Sequence, residues 1–308
     1  MLQDGVSLLR VYHNYPDLVE QVLEVFVEVA MHQLCFLTQS ESVKMYEVSL
    51  ALLHAYSEVN LGRTSLEVLA EEEQYRDLSL MMELLSSLFS RDMFVFLDDE
   101  DVNFAIESSD IVLHGLNIVV PLMNANLLKF PILCSEYFKL ITFICEIFPN
   151  KICLLAESLF NNFMASLEVG LTEYGSDVTK MCLDGLATLA GYCVENKMRE
   201  GAMFRAMRHF TEVVFKIVLM QTFDMELISS ASEAFYSLIC CHQTKYTELV
   251  NVLLGSQSDP AIYQRLAEAF SKLTPSEEPL QLVRKNKVQF LSRLETFLFN
   301  VRGFLCIK

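Results

Sequence analysis

Three stretches of this chain repeat one pattern at nearly even spacing. They read LITFICEIFPNK at Leu140–Lys151, LATLAGYCVENK at Leu186–Lys197 and AFYSLICCHQTK at Ala234–Lys245, so that their closing lysines lie 46 and then 48 residues apart. Each is an apolar run of helical period that turns polar and stops, and a second amphipathic segment follows it. A repeated unit of this length, built from two helices, predicts a helical-repeat solenoid, whose usual task is to present a binding surface.

The composition favours long helices over the whole chain. Of 308 residues, 52% are hydrophobic, and there are only 10 Gly and 7 Pro. Periodicity and helix breakers predict about a dozen helices in five or six antiparallel pairs, without strands. We therefore expect an all-α chain that forms a single array over residues 1–308, with an acidic loop at residues 91–110.

The first helices have readable starts and faces. Pro16 is expected to begin a helix, because proline suits the first helical position. An apolar face of that helix would include Leu18, Val25 and Phe26. Ser40 and Ser42 are N-cap candidates for the helix that follows.

The charge balance restricts the class of partner. The chain has 23 basic and 40 acidic residues, a net charge of −17. Nucleic acids and anionic membranes attract a surplus of Lys and Arg, so neither is an expected partner. Basic proteins are. Residues 284–308 carry six basic groups and one acidic group, which predicts a basic last helix packed on an acidic body.

The nine cysteines lie mostly in apolar helical runs, and no CxxC pair occurs. This pattern predicts reduced, buried thiols in a cytosolic or nuclear protein. Cys240, Cys241 and His242 are consecutive, so their side chains would point about 100° apart on a helix and could not share one metal ion. The first twelve residues do not resemble a signal peptide, and no apolar run is long enough to span a membrane.

Motifs for catalysis or cofactor binding do not occur in the sequence. We therefore expect no enzyme activity, no cofactor and no metal site. The acidic run Asp98–Asp101 differs from the DDxxD magnesium motif, since the fifth residue is Val102, and a solvated or partner-contacting loop is the better interpretation. His209 falls in an exposed charged stripe at helical spacing.

Acidic and polar surfaces are the candidates for partner binding. One is an exposed acidic turn at residues 71–73, and another is the acidic loop. The third is a stripe on a predicted helix at Lys151–Leu171, whose opposite face would be buried; this stripe could also simply face water. The predicted partner-binding residues are Glu71, Glu72, Glu73, Asp98, Asp99, Glu100, Asp101, Glu157, Asn161 and Glu168.

Five segments together resemble a known family. They are AEEEQYRDLSLMMELLSSLFS at Ala70–Ser90, LLKFPILCSEYFKLITFICEIFPNK at Leu127–Lys151, EAFYSLICCHQTKYTELVNVLLGSQ at Glu233–Gln257, SDPAIYQRLAEAFSKLT at Ser258–Thr274 and RGFLCIK at Arg302–Lys308. In this order they resemble the C-terminal region of exportins, nuclear transport receptors of the importin-β (karyopherin) family.

The resemblance implies a HEAT-repeat α-solenoid, an α-α superhelix. It also implies a carrier that binds protein cargo together with Ran-GTP in the nucleus, passes nuclear pore proteins and releases its cargo in the cytoplasm. The implied cargo is a small basic protein, such as a hypusine-containing translation factor. Whole exportins are several times longer than this chain, and their main Ran contacts lie in N-terminal repeats, so no Ran-contact residue is assigned here.

Two other classes of function fit parts of the sequence. A static helical-repeat scaffold would hold a protein complex together without coupling to Ran. An all-helical enzyme would require a closed pocket with converging polar groups, in place of an open surface.

Overall fold

The computed structural model describes residues 2–33, 36–60, 75–90, 108–220, 223–275 and 280–305. Within these ranges the chain forms fourteen α-helices and two short 3-10 helices, with no strand. The all-α prediction is therefore confirmed. The α-helices are α1 (Leu2–Tyr12), α2 (Pro16–His32), α3 (Gln39–Asn60), α4 (Arg76–Ser90), α5 (Ser108–Leu122), α6 (Pro131–Ile147), α7 (Pro149–Ile152), α8 (Glu157–Thr172), α9 (Ser176–Glu195), α10 (Ala202–Met220), α11 (Ile228–Cys241), α12 (Gln243–Gly255), α13 (Pro260–Leu273) and α14 (Arg284–Leu305).

The chain divides into two compact units, of which the first comprises Met1–Ile144 and Leu154–Phe163. In this unit α1 packs on α3, α2 packs on α4, and α3 packs on α5. Each of these three helices thus packs on the helix two places further along the chain. Stacked helical pairs produce this order, because equivalent helices of successive repeats lie side by side.

The second unit comprises Cys145–Cys153 and Met164–Lys308. It follows the same order: α7 packs on α9, α9 on α11, and α10 on α12, and the α9–α11 contact is the most extensive of these. The last helix, α14, packs on α11 and α13. The helical-repeat fold expected from the sequence is therefore confirmed.

The repeated stretches supply the buried faces of the stacked helices. Leu186 and Leu189 on α9 are completely buried, as are Phe235 and Leu238 on α11. Burying one such side chain contributes about 1.5–3 kcal/mol. The repetition in the sequence thus reflects the packing requirement of one helix on the next.

An aromatic cluster centred on Phe235 holds four helices of the second unit together. The Phe235 ring lies 6.2 Å from Phe215 of α10, 5.9 Å from Tyr246 of α12 and 6.0 Å from Phe290 of α14, each in an edge-to-face arrangement. Aromatic pairs in this geometry add about 0.5–1.5 kcal/mol to the effect of burial alone.

The buried face of α2 differs from the predicted one. The helix begins at Pro16 and buries Phe26, as expected, but Leu18 and Val25 are 42% and 44% exposed. Val19 and Leu23 are buried in their place. Apolar residues cover more than one side of α2, so helical period alone could not determine which side meets α4.

The N-cap prediction for α3 is wrong, since Thr38 precedes the first helical residue. The Glu41 carboxylate accepts hydrogen bonds from the Thr38 backbone N–H at 2.9 Å and from its hydroxyl at 2.6 Å. This Thr-x-x-Glu arrangement resembles a capping box. Ser42 lies inside the first turn, where its hydroxyl donates to the Thr38 carbonyl at 2.9 Å.

Candidate functional site

Several predicted partner residues lie outside the described part of the chain. This holds for the acidic turn Glu71–Glu73 and for the cluster Asp98–Asp101. Residues 91–107 of the predicted acidic loop are also outside it, whereas residues 108–110 belong to the first turn of α5. The roles proposed for these acidic residues stay predictions.

The predicted polar stripe lies on α8, although the helix is shorter than expected. The segment predicted as one helix forms the single turn α7 and then α8, which begins at Glu157. Glu157 and Asn161 are exposed, whereas Leu159 and Phe163 are buried, as expected for the two faces. No proline or glycine marks the break after Ile152, so the apolar period runs through it.

Glu168 belongs to a series of charge contacts within the second unit. Its carboxylate lies 3.0 Å from Nε2 of His209, which is exposed on α10 as predicted. Two further ion pairs join α10 to α12: Arg208 to Glu248 at 3.1 Å, and Glu212 to Lys245 at 2.8 Å. We call these three contacts the paired surface, because its charged side chains already have partners within the chain.

Glu212 on the paired surface has a lowered pKa. Hydrogen bonds from Lys216 at 2.7 Å and Lys245 at 2.8 Å lower the pKa of its carboxyl to about 2. A carboxyl whose pKa falls on folding stabilises the protein above its unfolded pKa, and this contribution is lost as the pH falls towards the folded value.

Replacing Glu212 by glutamine should lower the free energy of unfolding at pH 7 by about 0.5–1 kcal/mol in low salt, because exposed pairs are weak. The difference from the wild type should shrink between pH 4.5 and about 2, as both chains then carry an uncharged side chain. Urea denaturation over this pH range measures it. Glu195→Gln, at the exposed end of α9, is the control; a similar loss there would contradict the role of the ion pairs.

A second set of charges consists of carboxylates that face one another. Glu146 on α6, Asp184 on α9 and Glu233 on α11 interact in series within the second unit; we call them the acidic ladder. Burial raises the pKa of Glu146, and the nearby Asp184 charge raises it further. Burial also raises the pKa of Asp184, against a hydrogen bond from Ser230.

Basic groups neutralise the acidic ladder only in part. Lys287 contacts Glu233 at 2.6 Å, and the charge of Lys180 acts on Asp184. The raised pKa of Asp184 shows that these groups do not fully offset burial and neighbouring negative charge. An approaching cation stabilises the ionised form of such carboxylates. Groups with perturbed pKa values of this kind often mark functional surfaces.

The acidic ladder was not predicted from the sequence. Its members lie 38 and 49 residues apart and do not share a place in the repeated stretches. Tertiary packing within the second unit brings these three side chains together, and no local motif records it.

The cysteine–histidine run at the end of α11 faces three different neighbours. Cys241 contacts Cys193, and His242 lies against Phe204, with its Nε2 2.7 Å from the Phe204 carbonyl oxygen. Cys240 interacts with Tyr236. The prediction that these side chains point apart is confirmed.

No metal cluster lies within the described ranges. No group of three or more His, Cys, Asp or Glu residues there could hold a metal ion. A pocket between α11, α14 and the segment after α13 measures about 10 Å³, room for one water molecule. None of the described helices is both long and apolar enough to cross a bilayer.

Stacked helical pairs with charged faces define a helical-repeat protein that works through its surface. Residues 3–308 match the profile of the family described as Exportin-4. The chain therefore belongs to the exportin-4 family, whose members are transport receptors. Exportin-4 of Dictyostelium discoideum is 24% identical over 307 residues, which cover 97% of this chain and 26% of the relative. The chain thus spans about a quarter of the length of that curated relative.

Proposed function

We propose that this chain is the C-terminal segment of a nuclear export receptor that shuttles between nucleus and cytoplasm. The observation that carries the proposal is the match to the exportin-4 family over residues 3–308. The receptor would bind protein cargo together with Ran-GTP and pass the pore by contacts with nuclear pore proteins. Its principal Ran contacts would lie in repeats other than those described above.

The acidic ladder is the surface that we assign to a basic cargo. The chain has a net charge of −17, and the pKa values of Glu146 and Asp184 are raised by burial and neighbouring carboxylates. Lysine or arginine side chains of a basic protein, such as a hypusine-containing translation factor, would offset that repulsion.

The acidic residues chosen from the sequence are separate candidates for cargo contacts. Glu157 and Asn161 are exposed and available for such a contact, and the groups Glu71–Glu73 and Asp98–Asp101 remain candidates. Glu168 would first have to exchange His209 for a partner.

Recovery of partners on the immobilised chain tests the transport role. The chain is incubated with Ran loaded with GTP or GDP, with and without a basic cargo protein. Recovery of cargo and Ran should be greatest when both are present and Ran carries GTP. Equal recovery in every condition would contradict a Ran-coupled role of this segment and favour the alternative function, a static helical-repeat scaffold.

Variants of the acidic ladder test the cargo surface separately. Glu146→Gln and Asp184→Asn should each weaken binding of the basic cargo roughly three- to ten-fold at low salt, and high salt should reduce the difference. Fluorescence anisotropy with labelled cargo measures both effects. Glu195→Gln is the control for a change of net charge, and an equal loss of affinity in that variant would contradict a specific role of the ladder.

A loss of stability would not account for weaker cargo binding by the Glu146→Gln variant. Because the Glu146 pKa is raised in the folded chain, its ionised form costs stability once the pH exceeds that raised pKa. The cost is absent below the ordinary value of 4.5. At pH 7 the glutamine variant should therefore be at least as stable as the wild type.

A further inference from the structure

Cys193 and Cys241 occupy equivalent places on two stacked helices. Each is the eighth residue of its repeated twelve-residue stretch, and they lie 48 residues apart. Cys193 is in the last turn of α9, and Cys241 is the last residue of α11, the helix on which α9 packs most extensively. Both are buried, Cys193 at 1% exposed and Cys241 at 7%. The stacking of repeats therefore brings two free thiols together inside one unit.

The two thiols form a hydrogen bond in which Cys193 donates to the Cys241 sulfur. This bond lowers the pKa of Cys241, and the positive charge of Arg199 lowers it further, although burial opposes both. The same bond and burial raise the pKa of Cys193. Cys241 is thus the more nucleophilic thiol, since the thiolate is the reactive form.

Two other cysteines lie near this pair, but their thiols have raised pKa values and form different hydrogen bonds. Cys240 precedes Cys241 in sequence but interacts with Tyr236, and burial raises the pKa of its thiol to about 11. The Cys153 sulfur lies 3.5 Å from the Pro149 carbonyl oxygen, to which it donates, and burial and the nearby Cys193 raise the pKa of its thiol. These two residues serve as matched controls for a reaction that requires the Cys193–Cys241 contact.

We propose that Cys193 and Cys241 are a redox site, at which hydrogen peroxide forms a reversible disulfide between α9 and α11. The Cys241 thiolate attacks one peroxide oxygen, the O–O bond breaks, and Cys241 becomes a sulfenic acid with release of water. The Cys193 thiol then attacks the Cys241 sulfur, the S–O bond breaks, and a second water leaves. Two thiols are oxidised by two electrons, peroxide is reduced to two waters, and a dithiol reductant reverses the reaction.

The disulfide would add a covalent link between two successive repeats. A covalent link across 48 residues restricts the unfolded chain, so the oxidised second unit should resist thermal unfolding. We expect its melting midpoint to rise by roughly 5 °C or more.

Peptide mapping of the intact chain tests this proposal. The reduced protein is treated with hydrogen peroxide under native conditions, remaining thiols are blocked, and the digest is analysed by mass spectrometry without reduction. One cross-linked pair is expected, joining the peptides of Cys193 and Cys241, with a rise in melting midpoint that dithiothreitol abolishes. The proposal would be overturned if both cysteines carried the blocking group after peroxide treatment, in a protein that still melts cooperatively.

Single replacements sharpen the result. Cys240→Ser and Cys153→Ser should retain the cross-link, whereas Cys193→Ala should lose it and leave a sulfenic acid on Cys241 that dimedone traps. A dominant cross-link through Cys240 or Cys153, or an unlabelled Cys241 in folded Cys193→Ala, would also overturn the proposal. The wild-type digest keeps the test decisive if a replacement prevents folding.

Discussion

Replacing Phe235 by alanine is expected to lower the free energy of unfolding of the second unit by about 3–5 kcal/mol. The side chain is completely buried and contacts aromatic rings from three other helices. Its removal leaves a cavity among Phe215, Tyr246 and Phe290, which are themselves held by their own neighbours. The stacked helices cannot close that space without shifting α10, α12 and α14.

Phe299→Ala is the matched control, because Phe299 is 89% exposed on α14. That variant should change stability by less than about 0.5 kcal/mol. Urea denaturation, followed by hydrogen exchange of peptides from residues 202–255, reads the stability of the region directly. Similar losses from both replacements would show that the aromatic cluster does not hold these helices together.

Replacing Tyr56 by phenylalanine should destabilise the first unit by about 2 kcal/mol. The Tyr56 hydroxyl donates to a carboxylate oxygen of Asp77 at 2.7 Å, and the two residues are only 1% and 4% exposed. This bond joins α3 to the first turn of α4. The replacement keeps the ring, so the loss reports a hydrogen bond to a buried carboxylate.

Tyr15→Phe removes the same hydroxyl from a residue that is 60% exposed and should have almost no effect. Hydrogen exchange of peptides from residues 36–60 and 75–90, recorded against urea, distinguishes the two variants. If Tyr56→Phe matched this control, Tyr56 would contribute to α3–α4 packing through its ring alone.

The sequence predicted the helical-repeat fold because the repeat is a packing requirement. Leu186 and Leu189 on α9 stand at helical spacing, and so do Phe235 and Leu238 on α11, since each helix must bury a face against the next. It predicted the burial of individual positions less well. In α2, Leu18 is exposed and Val19 is buried, because the choice between adjacent apolar sides is made by α4 and not by α2 itself.

The candidate site was harder to predict from the sequence than the fold. Glu168 was identified as acidic and surface-facing, but its contact with His209 depends on the packing of α8 against α10. The sequence did not indicate a role for Asp184, because its raised pKa depends on burial and on Glu233, 49 residues away. Both properties arise from tertiary contacts, which helical period and charge counts do not contain.

The packing of stacked helices on the helix two places ahead also has an evolutionary consequence. A helix in such a stack has one face for the preceding helix and one for the following helix. This rule does not fix the number of repeats, whereas a closed barrel fixes the number of its strands. Duplication of a segment of about one repeat would therefore add matching faces at both sides and leave the older contacts intact. Gene lengths in such a lineage can change in steps of one helical pair while each retained repeat keeps its neighbours.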